Sequence, residues 1–234
     1  METDFNKKDA VSLKSFLIFT FFLLSTLNFG FYSNSSYFRV TQVNVVSNSE
    51  IYEETEFINL ILGQSIWRVN DNTFADKLLE QPTLQDINIK REGSNEITLE
   101  LIEYEKIISI TDLRSSIPRK SILYKNMFEM ESDKNFNLAT LTITNGPVPT
   151  GFNGELLSLI MTLRNYELDT GKFIFVYDGK TFYGKYHDLD IDFGAPSDLG
   201  SKSAALGYLL LRSECEGEIR FISNEDTIAT CSEI

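Results

Sequence analysis

Between residues 38 and 105 the apolar positions recur first with a period of about two, then about 3.6, then about two again. Phe38, Val40, Val43 and Val45 are apolar with one change of phase at Thr41 and Gln42, which predicts a half-buried strand carrying a bulge. Ile51, Phe57, Ile58, Ile61 and Leu62 fall on one helical face behind Glu53, Glu54 and Glu56. Those acids suit the positive end of a helix, and Gly63 is placed to stop it. A shorter helix follows, with Asn70 or Asp71 as cap, Phe74, Leu78 and Leu79 as its stripe and Pro82 as its stop. Leu84, Ile87 and Ile89 then run to Arg91, Gly93-Ser94-Asn95 turns the chain, and Ile97, Leu99 and Leu101 alternate with Thr98, Glu100 and Ile102. The expected order is strand, helix, helix, hairpin.

Residues 15–36 carry no charge, and apolar density runs through 16–31 with Thr20, Ser25, Thr26, Asn28 and Gly30 interspersed. That is roughly 17 residues, near the short end for crossing a bilayer. A cleaved signal peptide would share the lysines and the apolar run, but Asn28-Phe29-Gly30 is a poor cleavage site. An uncleaved signal anchor over 15–36 is therefore expected, with residues 1–14 cytoplasmic and Arg39 the first basic residue outside.

After Glu105 the pattern becomes one of short strands. Ile107, Ile108 and Ile110 continue as a strand, Pro118 with Arg119-Lys120 marks a loop, and strand-like runs at 122–128 and 138–143 flank a polar, acidic stretch at 129–137. Leu156, Leu157, Ile160, Met161 and Leu163 predict a helix from near Asn153. Asp178-Gly179 joins strands at 173–177 and 181–186, the strongest hairpin signal in the chain. A third strand carries Leu189, Ile191 and Phe193, and a helix over 198–212 turns Leu199, Ala205, Leu206, Leu209 and Leu210 inward. Ile219, Phe221 and Ile228 fall on two last short strands around Asn224-Glu225-Asp226. The sum is a meander of strands with helices on one side, an α+β class with a mainly antiparallel sheet.

The first of these patterns resembles a POTRA domain of the kind found in the bacterial cell-division family FtsQ/DivIB. It is carried by Phe38, Val40, Val43 and Val45; by Pro82, Leu84, Ile87, Ile89 and Arg91; and by Asn95, Ile97, Leu99, Leu101, Glu103 and Tyr104. The second half resembles the larger β-domain of the same family through Asp190-Ile191-Asp192-Phe193-Gly194, then Leu199, Lys202 and Leu206, then Gly217, Ile219 and Phe221. In its closing strand this chain reads Arg220-Phe221-Ile222 where the family often reads Asp-Leu-Arg. On this resemblance, residues 1–14 are a tail, 15–36 a transmembrane anchor, 37–106 a POTRA (β-α-α-β-β) domain and 107–234 the β-domain.

Composition narrows the partners. The formal net charge is −13, and Glu2, Asp4 and Asp9 balance Lys7, Lys8 and Lys14, so the excess acid follows the anchor. Such a surface repels phosphate backbones, which disfavours nucleic acid. Cys215 and Cys231 are the two cysteines. They close a short disulfide loop if their backbones approach closely enough, or stand as two buried thiols; spacing alone leaves both open.

Features that look chemical have bland explanations. In the stretch from Gly194 to Ser203, five residues separate Gly194 from Gly200 and Ser201 intervenes before Lys202, which breaks the spacing of a phosphate loop. Asp188, Asp190 and Asp192 alternate with Leu189, Ile191 and Phe193, as acids on the wet face of a strand do, and Phe193 and Leu199 stand where a calcium loop needs Gly and Glu. His187 is the single histidine and is expected in a turn; no triad can be built on it. Trp67 is expected in the core or, alternatively, as a partner anchor.

No catalytic, cofactor or metal site is expected. The resemblance implies a bitopic, single-pass membrane scaffold of the division septum, bound to FtsB/DivIC-like and FtsL-like membrane proteins, that coordinates septal peptidoglycan synthesis. Partner capture would use strand addition at the edge formed by the last strands. The residues expected there are Ile219, Phe221, Ser223, Ile228 and Thr230, with Tyr208 flanking, and a charge or proline at Phe221 or Ile228 is the expected way to break it. Arg91 and Tyr104 are weaker contact candidates. The alternative is a POTRA-containing envelope assembly or polypeptide-transport factor, although the long barrel of such proteins is not seen in this sequence.

Overall fold

Val40 and Val43 belong to two different pairings, which is what the change of phase at Thr41 and Gln42 records. Val40 N–H donates to Gln64 O (2.9 Å) and Val40 O accepts from Gly63 N–H (2.8 Å). Beyond the break, Thr41 and Gln42 N–H both donate to Asn95 O, at 2.9 and 3.3 Å. The single bulged strand expected from Phe38 is thus corrected: Phe38 closes a 3-10 turn, Ser36–Phe38, Arg39 makes an isolated bridge to Ser65, and β1 (Gln42–Ser47) starts only after the switch. The computed structural model describes residues 5–33, 35–47, 53–212, 217–221 and 229–232. The chain divides into two units, Met1–Glu103 and Tyr104–Ile234.

The first unit begins with α1 (Phe5–Ser33), within which Lys14–Phe31 is long and apolar enough to cross a membrane. Within this window three polar side chains turn back onto the helix, among them Thr20, whose Oγ1 donates to Phe16 O (2.7 Å), and Asn28, whose Nδ2 donates to Leu24 O (2.8 Å). Such internal pairing is what hydrocarbon surroundings demand of a polar group.

The rest of this unit runs α2 (Glu54–Ile61), a 3-10 turn Asp71–Phe74, α3 (Ala75–Glu80), β2 (Leu84–Arg91) and β3 (Glu96–Glu103). β3 lies between β1, its parallel neighbour, and β2, its antiparallel one. A register shift between Leu84 and Asp86 lets Leu84 and Ile87 reach the same face despite their odd spacing, and both are buried. The core joins Phe57, Ile61, Phe74, Ile97 and Leu99. Asn70 caps the 3-10 turn by accepting from Asn72 N–H, while Thr73 Oγ1 accepts from Asn70 N–H. Two expectations are corrected. Leu79 is 82 % exposed and lies off the apolar stripe, and Trp67 is 55 % exposed, so it is not a core residue. Ile51 lies outside the described residues.

The second unit is built on one sheet, nine-stranded among the described residues, with the order β12-β11-β10-β9-β8-β7-β4-β5-β6. Its strands are β4 (Lys106–Asp112), β5 (Arg119–Tyr124), β6 (Glu129–Glu131), β7 (Ala139–Ile143), β8 (Phe173–Tyr177), β9 (Phe182–Tyr186), β10 (Leu189–Gly194), β11 (Glu218–Phe221) and β12 (Ala229–Ser232). The expected meander is corrected to a mixed sheet: β4, β7 and β8 run parallel, as do β10 and β11. Parallel neighbours need crossovers: α4 (Phe152–Asn165) lies in the one from β7 to β8 and α5 (Leu199–Arg212) in the one from β10 to β11, while the chain passes from β4 to β7 through β5 and β6. Both crossovers step the same way along the sheet, so the right-handed rule puts both helices on one face, where they pack against each other. Leu156, Leu159, Ile160, Leu199 and Leu206 close a core with Phe173, Phe175, Phe182 and Phe193. The polar stretch at 129–137, expected to separate strands, itself holds β6.

Candidate functional site

A sheet offers a partner its edges, and among the described residues these are β6 and β12. β6 reads Glu129-Met130-Glu131, short and charged, the composition that discourages edge pairing. β12 reads Ala229-Thr230-Cys231-Ser232 and carries no charge. It pairs antiparallel with β11 in the register Glu218↔Ser232, Ile219↔Cys231, Arg220↔Thr230 and Phe221↔Ala229. Among the described residues no strand lies beyond it, so the backbone groups on its outer side face away from the sheet.

Of the residues singled out from the sequence, Thr230 alone is described on this edge strand. Ile219 and Phe221 lie one strand in, with side chains in the core: Ile219 is fully buried, and the Phe221 ring stacks on Phe193 at 5.4 Å and 11°. Their alternation with Glu218 and Arg220 announces that burial, because period two sends them to the helix-covered face. A charge at Phe221 would therefore disrupt the core, not the edge. Ser223, Ile228 and Cys215 lie outside the described residues, and Cys231 is described only as a strand position. Tyr208 is 47 % exposed on α5, with the Arg212 guanidinium 4.2 Å from its ring centre.

Sequence reasoning missed the polar face behind this edge. Arg220 Nε lies 3.4 Å from Asp192 Oδ2 and its Nη2 2.8 Å from Glu218 Oε1, while Lys185 Nζ stands 3.6 Å from Asp190 Oδ1. The alternating acids of β10 are thus one side of a cross-strand ladder. The signal lay in Arg220, whose register opposite Asp192 becomes visible only when β10 and β11 pair.

The β10-to-α5 turn is locked from within. Lys202 is 2 % exposed, and its Nζ donates to Phe193 O and Ala195 O, both at 2.8 Å. Burial pushes its ammonium below the usual lysine range, opposed by the carboxylates of Asp198, Glu155 and Asp192. Glu155 Oε2 accepts from Leu199 N–H at 2.8 Å, a carboxylate placed on the positive end of α5. The lysine that hinted at a phosphate loop is thus committed to main-chain carbonyls. His187 occupies a left-handed turn at φ 54°, the expected location. Arg91 donates to Ile66 O (3.3 Å) and Val69 O (2.6 Å), holding the loop before the 3-10 turn.

No protein-family model matches the chain. It is 26 % identical over 197 residues to a cell division protein DivIB of Clostridium tetani (strain Massachusetts / E88), an alignment covering 77 % of this chain and 73 % of that one. This similarity, spread over most of both proteins, supports a relationship to the DivIB/FtsQ family.

Proposed function

We propose that this protein is a membrane-anchored scaffold of the bacterial division machinery that works by binding, without chemistry of its own. In this reading α1 is a single-pass anchor with its N-terminus cytoplasmic, the strand-helix-helix-hairpin of the first unit is a POTRA domain, and the second unit is the partner-binding β-domain. The uncharged edge strand β12 is the observation that carries the proposal. An extended segment of an FtsB/DivIC-like protein, held with an FtsL-like one, adds beside β12 through main-chain hydrogen bonds. Tyr208, on the helix before β11, flanks the added strand. Through that complex the protein coordinates septal peptidoglycan synthesis. Similarity to a protein named for cell division supports the cellular role.

The test has two parts. An N-terminal fluorescent fusion at native level should concentrate at midcell; uniform envelope signal in dividing cells would favour a general envelope-assembly role instead. Replacing Thr230 with proline should abolish capture of the FtsB/DivIC-type partner while the protein stays folded. Undiminished capture by that variant would remove the edge from consideration.

A further inference from the structure

An aromatic strip follows closely on the anchor. Tyr37, Phe38 and Trp67 form a continuous row, with ring centres 5.1 Å apart between Tyr37 and Phe38 and 5.9 Å between Phe38 and Trp67. Its outer members are 69 % and 55 % exposed. The row is fixed to its unit, because Phe38 O accepts from Ile66 N–H (2.8 Å) and Phe38 also packs against the core. Beside it, Arg39 and Arg68 are exposed and line one hollow with Gly63, Gln64 and Ser65.

We propose that Tyr37, Phe38 and Trp67, with Arg39 and Arg68, rest in the phospholipid headgroup layer of the bilayer that α1 crosses. The inference depends on α1 being an anchor. Reach is the first argument: the apolar window ends at Phe31, and the chain from there to Tyr37 spans at most about 20 Å when extended. The headgroup layer is about 5–8 Å deep on each side, so the strip is tethered close to it. Side-chain chemistry is the second, since tryptophan and tyrosine favour that layer and guanidinium pairs with phosphate through parallel hydrogen bonds. Charge placement is the third. The hollow sets two guanidinium side chains, Arg39 and Arg68, beside the aromatic row in an otherwise acidic unit, which complements the charge of a phosphate. Docking there would fix the unit's orientation against the membrane instead of leaving it free on a linker.

Trp67 is the single tryptophan, so its fluorescence reports on this site in the full chain. The full chain is reconstituted into phosphatidylethanolamine–phosphatidylglycerol vesicles containing lipids brominated near the headgroup, and flotation is followed alongside emission. Shallow bromolipid should quench Trp67 by about half, and Arg39→Glu with Arg68→Glu should cut that quenching about threefold, with Tyr37→Ser weakening it too. Circular dichroism establishes that the variants are folded, as substitutions at exposed positions should be. A chain that floats with the vesicles while Trp67 stays open to aqueous acrylamide and blind to bromolipid overturns the inference and leaves the anchor intact. A chain that does not float removes the anchor and the inference with it. Shielding of Trp67 in native membranes but not in lipid vesicles also overturns it, assigning the strip to a protein partner.

Discussion

Gly207 on α5 lies against the ring of Tyr166 at the end of α4, so closely that a methyl group there would stand 2.5 Å from Tyr166 Cγ and Cδ2. The two helices cover the sheet face together, and this is one of the points where they meet most tightly. A lone helix would gain about 1 kcal/mol from alanine in place of glycine. Here overpacking costs about 1–3 kcal/mol, because the obstructing atoms are at the rigid base of the tyrosine side chain. Gly207→Ala should therefore lower stability in a denaturant melt, by up to about 2 kcal/mol.

Phe221 and the edge can be separated by mutation. Phe221→Ala removes a ring that is 6 % exposed and stacked on Phe193, and should cost about 3–5 kcal/mol. Thr230→Lys places a charge on the outermost strand and should leave the melting temperature within a few degrees of the parent. If strand addition occurs there, Thr230→Lys reduces partner affinity while Phe221→Ala acts through unfolding. Melting curves and binding isotherms on the same two proteins decide this.

Lys202 gives the second unit a signature at alkaline pH. Its folded-state affinity for a proton is lowered by burial, so the unfolded chain binds more protons over the interval between the lowered value and the ordinary lysine value. Stability contributed by this group therefore rises as pH increases through that interval and is constant below it. Lys202→Met removes the titration. The unfolding free energy of the parent minus that of the variant should climb as pH rises toward the ordinary lysine value of about 10.5 and level off above it; a flat or falling difference would contradict a depressed lysine.

Arg91 tests whether the last residue of β2 is structural. Its guanidinium bridges two carbonyls of the Ile66 and Val69 backbone. Arg91→Ala should cost about 0.5–1.5 kcal/mol and speed amide exchange through residues 65–70, with Arg91→Lys restoring only part because one ammonium does not reproduce the guanidinium fork. Unchanged exchange there would free Arg91 for a contact role.

Much of the element order was legible along the chain because its causes are local. The hairpin at Asp178 is an example: its Oδ1 accepts from Lys180 and Thr181 N–H, a turn chemistry written in adjacent residues. α2 and α3 of the first unit and both α4 and α5 of the second likewise follow from apolar spacing. Trp67 and Leu79 were misjudged because hydrophobicity reports a tendency to be buried, while burial depends on which neighbours arrive.

The sequence by itself determined the apolar N-terminal segment, the strand-helix-helix-hairpin order, the α+β class and the alternation that sends Ile219 and Phe221 to one face. Those properties depend on residues a few positions apart, where backbone geometry fixes which side chains share a side. Only the tertiary structure decided that β10 and β11 run parallel, that β11 is interior and β12 the edge, that Lys202 closes on Phe193 and Ala195, and that Trp67 meets Phe38 at the surface. Each of these joins residues far apart along the chain or sets which strand comes last. Strand order and pairing direction are set by how crossovers close over a shared core, and local periodicity is the same whichever neighbour a strand finally meets.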